Sequence, residues 1–88
     1  MTVKLYERKK DAKFVAARVK RTIKEIVKIQ RVRIINRQIA RDFGINICPD
    51  LGIASHSPKQ GEVGWIVIRG DPKLARKKYR SALEFLRE

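Results

Sequence analysis

Apolar positions set out the expected elements before any other feature of the chain. From Asp11 to Arg31, Ala12, Val15, Ala16, Val19, Ile23, Ile26 and Val27 recur at spacings of three and four. That period predicts one long amphipathic helix over 11–31. Lys10, Lys13, Lys20, Arg21, Lys24, Lys28 and Arg31 occupy its other face, and Glu25 lies within pairing distance of Arg21 and Lys28. Residues 1–9 read as an arm or edge strand, and Val32–Ile35 as a short β-branched bridge. A small helix is expected over 36–43. Asn36 caps it, Ile35, Ile39, Ala40 and Phe43 form its apolar stripe, and Gly44 supplies the left-handed residue at its end.

Beyond Gly44 two readings stay open. Pro49 suits the first turn of a helix over Asp50–Ser55, whereas Gly52 weakens that helix and leaves Leu51–Ala54 as a strand. Ser57–Gly64 is a Gly- and Pro-bearing loop, and Gly64–Arg69 is a strand apolar on both faces. Paired with a strand near 51–56, it gives a hairpin region over 51–69 whose loop carries His56, Lys59 and Gln60. Gly70, Asp71 and Pro72 then open a helix over 71–87 with Ala75, Tyr79, Ala82, Leu83 and Leu86 as its core stripe. The expectation is a small α+β domain, 1–88, in which two long basic amphipathic helices flank a short helix and a β-hairpin.

Charge changes this picture from fold to function. Twenty-two Lys and Arg against nine Asp and Glu leave +13, with a pI near 10.6. A domain so charged repels itself unless an anionic partner is near, and nucleic acid is the commonest such partner. A chain this short buries only roughly 60–65% of its unfolded surface, which disfavours a deep substrate cavity. No apolar run exceeds four residues, so no bilayer span is expected. The start, Met1-Thr2-Val3-Lys4, lacks a signal-peptide pattern, and Cys48 is the single cysteine. Both predict an intracellular, cytoplasmic protein, and the charge predicts association with nucleoid or ribosome. Abundant Ile, Val, Lys and Arg with few Asn and Gln is a thermophile-like composition.

The short helix, the Gly44 turn and Ile45 resemble the first half of a helix-turn-helix, over about a quarter of the chain. Counting on from Ala40, the apolar position expected ten residues later falls on Asp50, with Leu51 one step late. The element order also resembles a winged helix. This resemblance implies duplex DNA binding, with a recognition element near 46–56 in the major groove and the wing loop 56–61 on the backbone. The candidate contacts are Lys13, Lys20, Lys24, Lys28, Arg31, Arg37, Gln38, Arg41, Asn46, His56, Lys59, Gln60, Lys73, Arg76 and Lys77. Lys and Arg suit phosphates, whereas Gln38, Asn46 and His56 suit base edges.

No catalytic role is expected. Ser55, His56, Ser57 and Asp50 are sequence neighbours without a nucleophile elbow. Cys48 and His56 lack the further ligands of a zinc site, so neither metal nor cofactor is expected. Pro49-Asp50 followed by Glu62 resembles a Pro-Asp…Glu-x-Lys nuclease pattern, but position 64 is Gly where that pattern needs Lys. Trp65 reads as core, Tyr6 as a stacking residue in the basic arm, and Cys48 as a buried small hydrophobe. Two alternatives to a DNA-binding transcription or chromosome protein remain. One is a ribosomal or structured-RNA-binding protein. The other is an accessory subunit of a DNA replication or repair complex. Leu74 and Phe85 on the last helix would meet a protein partner or a second copy.

Overall fold

The structure, a computed structural model, describes residues 3–87. Five strands and three helices follow in the order β1 (Val3–Tyr6), α1 (Lys9–Thr22), β2 (Val27–Ile34), α2 (Arg37–Asp42), β3 (Ile45–Cys48), β4 (Val63–Arg69), α3 (Pro72–Tyr79) and β5 (Leu83–Phe85). One mixed sheet contains all the strands in the order β3-β1-β4-β2-β5. β1 and β3 run parallel, and the other neighbours are antiparallel. Helix α1 covers one face through Ala12 and Val15, packed with Tyr6, Cys48, Ile29, Trp65 and Val67. α2 and α3 cover the other face, where Leu5, Val32, Ile34, Ile45, Ile47, Ile66 and Leu83 form the main core.

This architecture corrects the expected pair of long helices flanking a hairpin. The first helix stops at Thr22, and Ile23 is extended at φ −128°, ψ 150°. Thr22, Ile23, Ile26 and Val27 crowd four β-branched side chains where the longer helix would continue, and such residues favour extended backbone. The stretch Val27–Ile34 instead supplies the strand between β4 and β5, with register partners running from Val27↔Arg69 to Ile34↔Leu83. Its period is two: Val32 and Ile34 enter the main core while Ile29 packs under α1.

The last helix is likewise shorter than expected. Asp71 caps α3 by accepting from the Lys73 N–H at 2.9 Å, with Pro72 in the first turn. After Tyr79 the chain turns, and Leu83–Phe85 pair with the outer edge of β2. The backbone N–H of Ile35 bonds to Ala82 C=O, and that of Leu86 to Arg31 C=O, extending the join at both ends. Ala82, Leu83 and Leu86 fit a helical stripe, but the unpaired edge of β2 offers more hydrogen bonds than an isolated helical turn.

The hairpin near 51–69 does not form. β4 pairs with β2 rather than with residues 51–56, which meet the sheet only through an isolated bridge between Ile47 and His56. The expected arm is an interior strand, β1, between β3 and β4; Met1 and Thr2 lie outside the described residues. The small helix forms as expected. Asn36 Oδ1 accepts from the Ile39 N–H at 3.1 Å, and Gly44 takes φ 77°. A strand, β3, follows it, and residues 50–55, read as a helix or a strand, form neither.

β1 and β4 share one register pair, Tyr6 with Trp65. Gly64 sits beside that contact because a Cβ there would meet the Leu5 side chain and lie 2.8 Å from the Tyr6 carbonyl oxygen. Beyond the pair, a cleft of about 560 Å³ opens along the two strands, with Lys4, Arg69 and Lys78 among its lining residues.

Candidate nucleic-acid interface

Helix α1 carries Lys9, Lys10, Lys13, Arg18, Lys20 and Arg21 against one acid, Asp11. Asp11 is buried, so the outer face has no carboxylate of its own to neutralise it. A helix of this length spans about 21 Å. Lys10, Lys13, Lys20 and Arg21 are all exposed. Among the described residues none of these four makes an ion pair, whereas Arg8 pairs with Asp50 at 2.8 Å and Arg33 with Glu84 at 3.1 Å. Phe14 stands 55% exposed on the same helix, with the Arg18 guanidinium 6.0 Å from its ring centroid. An exposed aromatic among cations is suited to stacking on a base as well as to phosphate contact. The sequence offered a signal for it, since Phe14 falls outside the apolar stripe.

The fifteen expected contact residues are split between the two layers. Lys13 and Lys20 lie on α1, and Lys24 lies in the turn after it. Lys28 and Arg31 are exposed on β2, three residues apart and so on opposite faces of the sheet. Lys20, Lys24 and Lys28 therefore do not share a helical face. Arg37, Gln38 and Arg41 are on α2, and Lys73, Arg76 and Lys77 on α3, across the sheet from α1. Lys59 is exposed in the loop before β4.

Three of the expected polar contact residues have structural work instead. Gln38 Nε2 donates to Asp42 Oδ1 at 3.2 Å along its own helix. Gln60 Oε1 accepts from the Arg37 N–H at 3.1 Å while its Nε2 donates to Ile35 C=O at 2.7 Å, clamping the start of α2. His56 exchanges two backbone bonds with Ile47, and its Nδ1 lies 2.9 Å from the Ser57 carbonyl oxygen. Asn46 is half-buried within β3.

Trp65 is half-buried and packs with the α1 layer, as its apolar neighbours suggested, and Lys9 Nζ lies 5.0 Å from its ring centroid. Tyr6 is buried rather than free to stack, and burial, then the neighbouring Cys48, raises its hydroxyl pKa. Cys48 is buried. Asp50 is held below the usual carboxylate range, first by the Gly52 N–H and then by Arg8. Glu62 is pushed up to about 7, chiefly by burial and then by the adjoining Glu7 carboxyl. The structure thus brings Glu7, His56 and Glu62 together, a grouping no spacing in the sequence announces.

No helix among the described residues is long and apolar enough to cross a membrane. No protein-family model, curated protein or solved structure matches the chain.

Proposed function

We propose that this protein binds nucleic acid through phosphate contacts, with the outer face of α1 as the principal surface. The observation that carries the reading is that face itself: Lys10, Lys13, Lys20 and Arg21 are exposed while the helix's one carboxylate is buried. Water solvates such a face, but a polyanion adds the entropy of released counterions, which is the main source of sequence-independent affinity. Phe14 adds an exposed aromatic surface on the same helix.

A base-reading mode has less support, because residues 50–55 form no recognition helix, Gln38 is engaged within the fold and Asn46 is half-buried in β3. The placement of Lys73, Arg76 and Lys77 across the sheet from α1 favours a partner that surrounds the domain. Folded RNA does so, whereas one straight duplex meets one side. A structured-RNA-binding protein is therefore the favoured form of this proposal, with duplex DNA second.

Competition binding with duplex DNA, single-stranded DNA and a structured RNA, each at two salt concentrations, tests it. Replacing Lys13, Lys20 and Arg21 by Ala should weaken binding to all three. On duplex DNA it should flatten the plot of log affinity against log salt by about 0.9 for each phosphate no longer neutralised. The Lys73, Arg76 and Lys77 triple variant should weaken structured RNA more than duplex. An unchanged salt slope in the α1 variant would remove that helix from the interface.

A further inference from the structure

Glu7 follows β1, Glu62 precedes β4, and His56 lies in the long connection between β3 and β4. Each position is tied by backbone bonds. The Glu7 N–H donates to Cys48 C=O at 3.2 Å, and His56 exchanges bonds of 2.9 and 2.8 Å with Ile47. Glu62 C=O accepts from the Ile34 N–H at 2.8 Å. One ligand atom from each side chain then lies within 4.8 Å of the other two.

Two details bear on what could join these groups. Glu62 Oε2 is buried without a hydrogen-bond partner. Ionised carboxylates offer only acceptors, so Glu7 cannot satisfy it unless a proton or a cation lies between them. His56 Nδ1 is beside the Ser57 carbonyl oxygen, and a proton on Nδ1 donates to it. The Nε2 lone pair is then left as the ring's free acceptor, the arrangement by which a carbonyl orients a metal-binding imidazole.

We propose that Glu7, His56 and Glu62 form a binding site for a divalent transition-metal ion, Zn²⁺ first among them. One imidazole nitrogen and two carboxylate oxygens suit zinc, with bonds of about 2.0–2.2 Å. A tetrahedral ion with such bonds separates its ligand atoms by about 3.3 Å, so small side-chain rotations from the present spacing close the site. Three protein ligands leave one position for water or another oxygen donor. The bound ion joins the ends of β1 and β4 to the connection that carries His56. This proposal is independent of the nucleic-acid reading.

The test uses the full chain without a histidine tag, stripped with chelator and dialysed. Co²⁺ is titrated with visible absorption as the readout, and Zn²⁺ affinity is obtained by competition. The expected result is saturation at one ion per chain and a higher Tm with Zn²⁺. Glu62→Gln and His56→Ala should each weaken binding at least tenfold, while Glu25→Gln binds like wild type. Far-UV circular dichroism in chelator shows whether each variant is folded, and Glu7→Gln serves as a second carboxylate variant if Glu62→Gln is not. Absence of saturable binding by the wild type would overturn the proposal. So would equal affinity in the folded ligand variants.

Discussion

Replacing Gly64 by Ala is the sharpest test of how the two halves of the sheet join. The added Cβ would meet the Leu5 side chain and lie 2.8 Å from the Tyr6 carbonyl oxygen. Leu5 is fully buried in the main core, so its side chain has little room to turn away. The carbonyl is backbone and moves only if β1 itself moves. Overpacking of this kind costs about 1–3 kcal/mol. The smaller entropy of an unfolded Ala returns about 0.4–1 kcal/mol, leaving a net loss near 1–2 kcal/mol. For a domain of this size that lowers Tm by roughly 5–15 °C. Thermal and urea denaturation followed by circular dichroism measure it directly. Gly52→Ala is the matched control, because nothing lies within 4 Å of a Cβ there and its φ is not positive. A Gly64→Ala protein as stable as the Gly52→Ala protein would refute the close approach of β1 to β4.

Three further outcomes are expected. Asp71→Ala removes the oxygen that accepts from Lys73 N–H and should cost about 0.5–2 kcal/mol, read by urea denaturation. Gln60→Ala deprives Arg37 N–H and Ile35 C=O of their partner, and faster amide exchange in the first turn of α2 should report it. In chelator-treated protein, the raised pKa of Glu62 means that the fold binds this proton more tightly than the unfolded chain does. Its stabilising contribution is therefore complete below the unfolded carboxyl pKa of about 4.5 and is lost as pH rises through about 7. Glu62→Gln should flatten that decline, gaining stability over wild type at pH 8 relative to pH 4; parallel pH profiles would contradict it.

The parts of the fold legible in the sequence are those decided locally. Asn36, Gly44, Asp71 and Pro72 mark helix ends through their own backbone chemistry, and α2 and the start of α3 fall where they indicate. β4 is legible because Trp65–Ile68 is apolar on both faces. Val27–Ile34 is not, since Ile23, Ile26 and Val27 extend the helical spacing of α1 into a segment whose strand partners are remote in sequence. The same holds for Leu83–Phe85, whose conformation is decided by the edge of β2. At the candidate interface, the basic character of α1 is visible in composition, but the division of the remaining cations between layers follows from the sheet. Glu7, His56 and Glu62 converge only because β1, the connection after β3, and β4 meet at one end.

The strand order carries a consequence for how the chain acquires its shape. No two strands consecutive in sequence are neighbours in β3-β1-β4-β2-β5, so the sheet contains no hairpin that could form early by itself. Val3 finds its partner at Ile45, and Val32 finds one of its partners at Phe85. Loop closure must precede almost every strand pairing, which places the domain among slow folders, on the millisecond-to-second scale, despite its small size. During synthesis β1 leaves the ribosome long before β4 exists, and β2 stays open on one edge until Leu83–Phe85 emerge. The growing chain thus has its helices as local structure, and the sheet is completed only when β5 joins β2.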